Sequence, residues 1–292
     1  MIPLTYIRKF ISVFLSLLLL LSLCSYIPCS AAAFIPGDAS GDGKITAEDA
    51  RLILRNSVCS EAFTNEQLIA ADIDGDGIIT AADARYALLI AVSGCKAPAV
   101  NGNSVTITGF TSKGYPVFNA DGVTYIDGII IANKTYALPE GYNPGDILEE
   151  CRASFNRMKA DAAAQGLSIY ISSGFRSYAS QRSIYNRYVS RDGRAAADTY
   201  SARPGHSEHQ TGLSIDLNTI TQAFGRTAEG RWVAEHCHEY GFIIRYPDGK
   251  SHITGYHYEP WHLRYVGIKT ATAIAESGLC LEEYYGITSI YA

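Results

Sequence analysis

The stretch Ser207-Glu208-His209-Gln210-Thr211-Gly212-Leu213-Ser214-Ile215-Asp216 sets an imidazole and a carboxylate seven positions apart, across a glycine. A turn at Gly212 followed by the alternation Leu213-Ser214-Ile215-Asp216-Leu217 predicts a half-buried strand with Asp216 on its polar face. His209, on the bend before that strand, then reaches the same point. A catalytic zinc site draws three ligands from His and carboxylates and keeps one position for water. His262, in Tyr258-Glu259-Pro260-Trp261-His262, is the third candidate, and Glu259 three residues earlier is placed to act as a base. Spacing alone leaves a plainer reading open, because an Asp beside a Gly turn commonly caps or closes that turn. Other imidazoles compete. His206 lies three residues from His209, and His252 and His257 are further options. His236 and His238 fall two apart on a predicted helix and face different sides. The chain has no His-Glu-x-x-His helix and no Gly-x-Ser-x-Gly elbow, which excludes two common hydrolase classes.

These residues form two patterns, Ser-x-His-x-x-Gly-x-x-x-Asp ending at Asp216 and Glu-Pro-Trp-His from Glu259 to His262. Upstream stands Ser172-Ser173-Gly174-Phe175-Arg176-Ser177 with Gln181. Phe-Ile-Ile-Arg-Tyr-Pro at 242–247 and Tyr265-Val266-Gly267 lie between and beyond. Together, over roughly residues 130–285, they resemble the zinc D,D-carboxypeptidases of the VanY type, which trim bacterial cell-wall peptides. The resemblance implies zinc held by His209, Asp216 and His262, with Glu259 as proton shuttle. It implies that Arg176 neutralises the substrate's terminal carboxylate or the developing oxyanion, that Ser207 and Gln181 are hydrogen-bonding neighbours, and that Trp261 forms a wall. The bland alternatives are a surface ion pair for Arg176 and a core position for Trp261. The implied activity is removal of the terminal D-Ala from peptidoglycan stem peptides. An L,D-carboxypeptidase acting on tetrapeptide stems shares every motif. A different class is a module that grips peptidoglycan without cleaving it. Glu259 argues against that, since binding needs no base.

Residues 36–95 hold an internal repeat. Asp38, Ser40, Asp42, Lys44, Thr46 and Asp49 return as Asp72, Asp74, Asp76, Ile78, Thr80 and Asp83, an offset of 34. Oxygen ligands at loop positions 1, 3, 5, 9 and 12, a carbonyl at 7 and Gly at 6 suit a calcium ion. Lys44 and Ile78 therefore offer only their carbonyls. Each loop runs into an apolar helix, Ala50 to Arg55 and Ala84 to Val92, and no comparable helix precedes the first loop. This repeated loop-helix unit resembles a dockerin, an all-α module with two structural calcium ions that binds a cohesin-bearing protein. Dockerin contacts usually lie at loop positions 10 and 11, here Ala47-Glu48 and Ala81-Ala82. These pairs differ from each other, which leaves the partner class and a two-way binding mode open.

At the N-terminus, Arg8 and Lys9 precede an apolar run from Phe10 to Leu23 and then the small residues at 30–33. That order reads as a secretory signal peptide over 1–33, removed on export, with no later run long enough to span a bilayer. A secreted, cell-wall-associated bacterial protein follows. Cys59, Cys95, Cys151, Cys237 and Cys280 remain, an odd number without CxxC spacing, so most are expected to be buried small apolar residues. The net charge is −5, and residues 36–95 carry ten acidic against four basic side chains. The acidic excess thus sits in the calcium repeats, and nothing is basic enough for nucleic acid.

Residues 96–128 read as a β-rich connector, with strands at Val105 to Phe110 and Val123 to Ile126. Residues 129–292 read as the peptidase unit. Helices are expected at 147–165, 178–191, 226–240 and 268–276, and strands at 167–173, 242–245, 256–259 and 262–266. The late strands are close enough for antiparallel pairing. The fold class is α+β: a small antiparallel sheet with helices packed on it, preceded by the calcium module.

Overall fold

The computed structural model describes residues 35–95 and 105–291. The segment expected to be a signal peptide and part of the connector lie outside these residues. Helices α1 (Ala47–Cys59) and α3 (Ala81–Ser93) follow the two repeat loops, and α2 (Asn65–Ala71) leads into the second loop. Thr46 and Thr80 cap α1 and α3 in reciprocal boxes with Asp49 and Asp83. The two helices start alike because the repeat places hydroxyl and carboxylate three apart. Each exits through a left-handed residue, Ser60 and Gly94.

Strands β1 (Val105–Phe110), β2 (Pro116–Ala120), β3 (Val123–Ile126) and β4 (Ile129–Ile131) form an antiparallel meander. Its residues serve separate cores. Val105, Ile107, Phe118 and Ala120 share a core with Ala50, Ile53, Ala84, Ala87 and Ile90 of the calcium-type repeats. Val117, Ile126 and Ile131 pack with Ile243, Val266, Ala271 and Ile274. The Ile107 amide also donates to the Ile73 carbonyl (2.9 Å). The fourth strand lies past residue 128, so the sheet runs from the connector into the segment that follows.

The second sheet contains β5 (Ile171–Ser173), β6 (Ser214–Leu217), β7 (Phe242–Ile244) and β8 (His262–Tyr265), in the order β5-β6-β8-β7 and antiparallel throughout. Helix α4 (Glu149–Ala164) lays Cys151, Phe155, Met158 and Ala162 against Ile215, Leu217, Phe242 and Leu263. That spacing is one helical face meeting the apolar face of the sheet. The remaining helices are α5 (Tyr178–Asp192), α6 (Arg194–Ala197), α7 (Ala228–His236), α8 (Ser251–Thr254), α9 (Ile268–Ser277) and α10 (Leu281–Tyr285). Among the described residues no helix is long and apolar enough to cross a membrane.

Strand β5 covers only Ile171–Ser173 of the run expected at 167–173, and three further details depart from the sequence expectation. Strand β6 is buried on both faces, not half-buried, because other charged side chains cover its polar face. The helix expected over 226–240 is broken. Thr227 caps α7 through the Gly230 amide (3.0 Å), and short 3-10 turns flank it at Gln222–Arg226 and Cys237–Tyr240. A side chain at Gly230 would sit 1.9 Å from the Phe224 carbonyl oxygen, so only glycine lets the two segments touch. Tyr256–Glu259 is a loop: Gly255 is left-handed, and the Glu259 amide donates to the Tyr246 carbonyl (3.0 Å) instead of joining a ladder.

Gly212 makes the turn read from the sequence. It has φ +71°, and a Cβ there would lie 2.7 Å from the Asp146 carbonyl oxygen. Its own carbonyl accepts the Leu148 amide at 2.9 Å, which ties the turn to the start of α4. Gly212→Ala is expected to destabilise this unit by about 1–3 kcal/mol through backbone strain alone. Urea unfolding followed by tryptophan fluorescence checks it, and an unchanged midpoint would show that the turn relaxes freely.

Candidate metal centre and active site

The antiparallel ladder builds the site. Asp216 on β6 faces His262 on β8 and Ser173 on β5 in register. His209 comes from the 3-10 turn Glu208–Thr211, which Gly212 returns into β6. Ligand atoms of His209, Asp216 and His262 lie within 4.8 Å of one another. His209 Nε2 is 3.2 Å from Asp216 Oδ2, and His262 Nδ1 is 3.0 Å from Asp216 Oδ1. The two imidazoles meet edge to face, with centroids 4.9 Å apart. His209 Nδ1 donates to the Gly174 carbonyl (2.7 Å), which leaves Nε2 with a lone pair toward Asp216. Two imidazole nitrogens and a carboxylate, all buried and convergent, form the donor set that a zinc ion takes.

Glu259 stands beside this cluster, with Oε2 3.8 Å from His262 Nδ1. Its side chain is 16% exposed, against 5% for each of the other three, so it is the carboxylate that meets the cleft. The two acids are set apart by their surroundings. Burial alone would raise Asp216, but His209 and His262 outweigh it and hold the carboxyl well below the usual range. For Glu259, burial pushes the carboxyl up to about 7; His262 and Arg176 pull against this, while the Asp216 charge adds to it. Burial lowers His209. His262 rises to about 9, burial being outweighed by Asp216 and Glu208. A dication among these groups would favour the charged carboxylates and the neutral imidazoles.

The cleft is about 470 Å³ and is lined by all of the expected site residues: Arg176, Gln181, Ser207, His209, Asp216, Glu259, Trp261 and His262. Arg176 is no surface ion pair. Its guanidinium donates to Gln181 Oε1 (3.0 Å) and Ser173 Oγ (3.3 Å), and its amide to the His209 carbonyl (3.1 Å). Gln181 is fixed in turn by the Ala202 carbonyl (2.6 Å). Trp261 is half-buried against the main core and also borders the cleft, so both readings of it hold. The rival imidazoles sit elsewhere. His206 bonds the Asn133 carbonyl (2.7 Å), and His236 pairs with Glu239 (2.9 Å). His257 lines the cleft but is exposed.

Sequence reasoning missed the layer beneath. Glu208, Arg245, Arg264 and Glu282 are wholly buried. Arg245 Nε donates to Glu208 Oε1 (2.7 Å), its two Nη groups grip Glu282, and Arg264 Nη1 lies 3.2 Å from Glu208 Oε1. The signal was available: Arg245 directly follows the apolar run Phe242-Ile243-Ile244 and Arg264 sits within β8, and a charge there requires a buried partner. Tyr246, stacked on His262 at 5.1 Å, was also missed.

In the repeats, Asp72, Asp74 and Asp76 converge with ligand atoms within 4.8 Å. Asp72 Oδ1 is buried without a hydrogen-bond partner. Asp83 takes the Ile73 and Thr80 amides (2.9 and 2.8 Å). In the first loop, Asp38 takes the Gly41, Asp42 and Gly43 amides, Asp42 takes that of Lys44, and Asp49 takes those of Ser40 and Thr46. Cys151, Cys237 and Cys280 are buried as expected, whereas Cys59 is exposed and Cys95 half-buried; all are free thiols.

Residues 146–268 match the VanY family, D-alanyl-D-alanine carboxypeptidase, and residues 36–90 match the Dockerin type I domain. The D-alanyl-D-alanine carboxypeptidase of Enterococcus faecalis (strain ATCC 700802 / V583) is 43% identical over 173 residues, 53% of this chain and 65% of that one. The Bacillus subtilis (strain 168) protein YodJ is 42% identical over 181 residues, 54% of this chain and 66% of that one. The chain thus spans just under two thirds of these curated relatives. Among solved structures, DacB from Streptococcus pneumoniae D39 is 45% identical, with TM-score 0.53, covering 60% of this chain and 97% of that one. The LdcB LD-carboxypeptidase is 38% identical, with TM-score 0.54, covering 60% and 94%. Residues 146–268 belong to the VanY D-alanyl-D-alanine carboxypeptidase family.

His209→Ala, Asp216→Ala and His262→Ala are each expected to lose bound zinc, while Glu259→Ala retains it and loses turnover. Elemental analysis of the four purified variants beside a peptide-release assay checks this. Full zinc in the His262 variant, or none in the Glu259 variant, would reverse the assignment.

Proposed function

We propose that this protein is a secreted zinc D,D-carboxypeptidase that hydrolyses the terminal D-Ala from peptidoglycan stem peptides, carried on a dockerin. The observation that carries it is the convergence of His209, Asp216 and His262 in one cleft with Glu259 and a fixed Arg176. His209, Asp216 and His262 would hold the zinc, which supplies a Lewis acid that acidifies water and polarises a carbonyl. Glu259 Oε2 takes the proton of the attacking water and later hands it to the leaving amine nitrogen. A carboxyl raised towards neutrality suits both halves of that shuttle. Arg176, braced by Gln181 and Ser173, presents a guanidinium fork to the substrate's terminal carboxylate or to the oxyanion. Ser207 and Trp261 border the bound peptide.

A second reading, an L,D-carboxypeptidase acting on tetrapeptide stems, is favoured by the names of two solved structures that match this fold, LdcB and a streptococcal DacB, each called an L,D-carboxypeptidase. Digestion of purified pentapeptide and tetrapeptide muropeptides, with the products weighed, decides between them. Loss of one terminal residue from the pentapeptide alone supports the D,D reading; loss from the tetrapeptide alone overturns it.

The same proposal gives residues 36–95 two calcium ions, at Asp38, Ser40, Asp42, Lys44, Thr46 and Asp49, and at Asp72, Asp74, Asp76, Ile78, Thr80 and Asp83. The unpartnered buried Asp72 oxygen supports the second site. A cohesin-bearing protein is the partner. Leu54 and Val58 return at the repeat offset as Leu88 and Val92, and all four are exposed, a duplicated apolar surface suited to docking.

Arg176 is tested by a cycle of two enzymes and two substrates. Amidating the substrate carboxylate is expected to remove most of the wild-type rate. Arg176→Lys should slow the free acid far more than the amide, a coupling on the order of 1.5–3 kcal/mol. Equal slowing would move Arg176 from the carboxylate to the oxyanion. For the repeats, chelating calcium alone is expected to melt residues 36–95, whose seven loop aspartates then repel, and to leave hydrolysis of a soluble peptide unchanged. Circular dichroism and turnover measured on the same sample check both parts.

A further inference from the structure

His262 has two ring nitrogens and a carboxylate facing each. Nδ1 looks at Asp216 Oδ1 (3.0 Å), and Nε2 looks at Glu208 Oε2 (3.6 Å). If Nδ1 carried the proton it would donate to Asp216 and have no lone pair for a metal. If Nε2 carries it, Nδ1 is free to ligate beside Asp216.

Glu208 is built for that second arrangement. Its oxygens divide the work: Oε1 receives Arg245 Nε (2.7 Å) and lies 3.2 Å from Arg264 Nη1, while Oε2 is left to Ser214 Oγ (3.3 Å) and His262 Nε2 (3.6 Å). The carboxylate cannot swing away, because both guanidiniums are themselves fixed. Arg264 Nη2 donates to the Ile130 carbonyl (2.6 Å), and Arg245 grips Glu282. His262 Nε2 is buried with no hydrogen-bond partner, and Glu208 Oε2 at 3.6 Å is the carboxylate oxygen it faces.

We propose that Glu208 is a positioning residue for the metal centre: its carboxylate holds the proton of His262 on Nε2 and so turns the Nδ1 lone pair toward the ion. This rests on the zinc reading above. Glu208 touches neither substrate nor metal in this role, and it acts through His262.

The network around Glu208 reaches beyond residues 146–268. Glu282, on α10, closes the other side of Arg245, and Asn133 Nδ2 donates to Glu282 Oε1 (3.0 Å). Segments on both flanks of the matched region therefore hold the residue that orients a ligand.

The direct test is nitrogen NMR of the zinc-loaded wild-type protein, labelled at histidine. The expected result is a protonated Nε2 and a metal-bound Nδ1 for His262; a proton on Nδ1 overturns the proposal. In Glu208→Gln, zinc affinity measured by competition with a chromophoric chelator is expected to fall about 10–100-fold, as for other groups that orient metal ligands. KM should stay within about twofold. A folded Glu208→Gln with wild-type zinc affinity overturns the proposal. Should the single change unfold the protein, Glu208→Gln combined with Arg264→Gln restores the balance of buried charge, and the same loss of affinity is expected. A wild-type protein that takes up no zinc overturns the metal reading itself, and this proposal with it.

Discussion

A charged side chain leaves water only when another charge meets it, and this constraint shapes the interior of the second sheet. Two guanidiniums and two carboxylates, Arg245, Arg264, Glu208 and Glu282, lie at zero or near-zero exposure with matched sign. The Coulomb gain in such a cluster roughly offsets the cost of desolvation, so it adds little net stability. It does, however, tolerate very few geometries. Strands β6, β7 and β8, the turn at 208–211 and helix α10 must all arrive in register for each guanidinium to meet a carboxylate. The ligand cluster sits directly above that layer and inherits its precision.

The active-site cleft repeats the principle with the opposite outcome for two acids of the same chemistry. Asp216 lies between two imidazoles and is held as the anion. Glu259, a few ångströms away, has burial against it and another carboxylate nearby, and is lifted to about 7. One is suited to hold a cation permanently and the other to exchange a proton. The division follows from where the ladder and the loop after Tyr256 place each carboxyl, since the side chains differ by one methylene.

Much of this was legible in the chain. The His209 to Asp216 spacing worked because a turn residue and a period-two alternation both constrain where side chains point. Helix α4 was legible from its punctuation, Pro144-Gly145-Asp146 before it and Gly166 after it. The Asp216–His262 pairing came from the resemblance and not from spacing, because residues 46 positions apart meet only through strand order. The buried layer was hidden differently. Glu208 occupies a position that the motif leaves open, and nothing local distinguishes a buried Glu from a solvated one. The broken helix at 226–240 was lost because the need for Gly230 arises from contact with Phe224, which no propensity encodes. The strand expected at 256–259 failed because Gly255 turns left-handed and the Glu259 amide bonds the Tyr246 carbonyl outside any ladder.

The meander β1–β4 has a mechanical meaning. Val105 and Ile107 are inserted among the side chains of α1 and α3, while Val117 and Ile126 belong to the core that contains Ile243 and Val266. The sheet is thus a splice, glued on both sides, and not a hinge. Anything gripping the repeats would hold the cleft at a set angle, and the whole body would have to turn for the cleft to face a new direction. The reach of the cleft would then be decided by whatever tethers the repeats and not by the backbone between them.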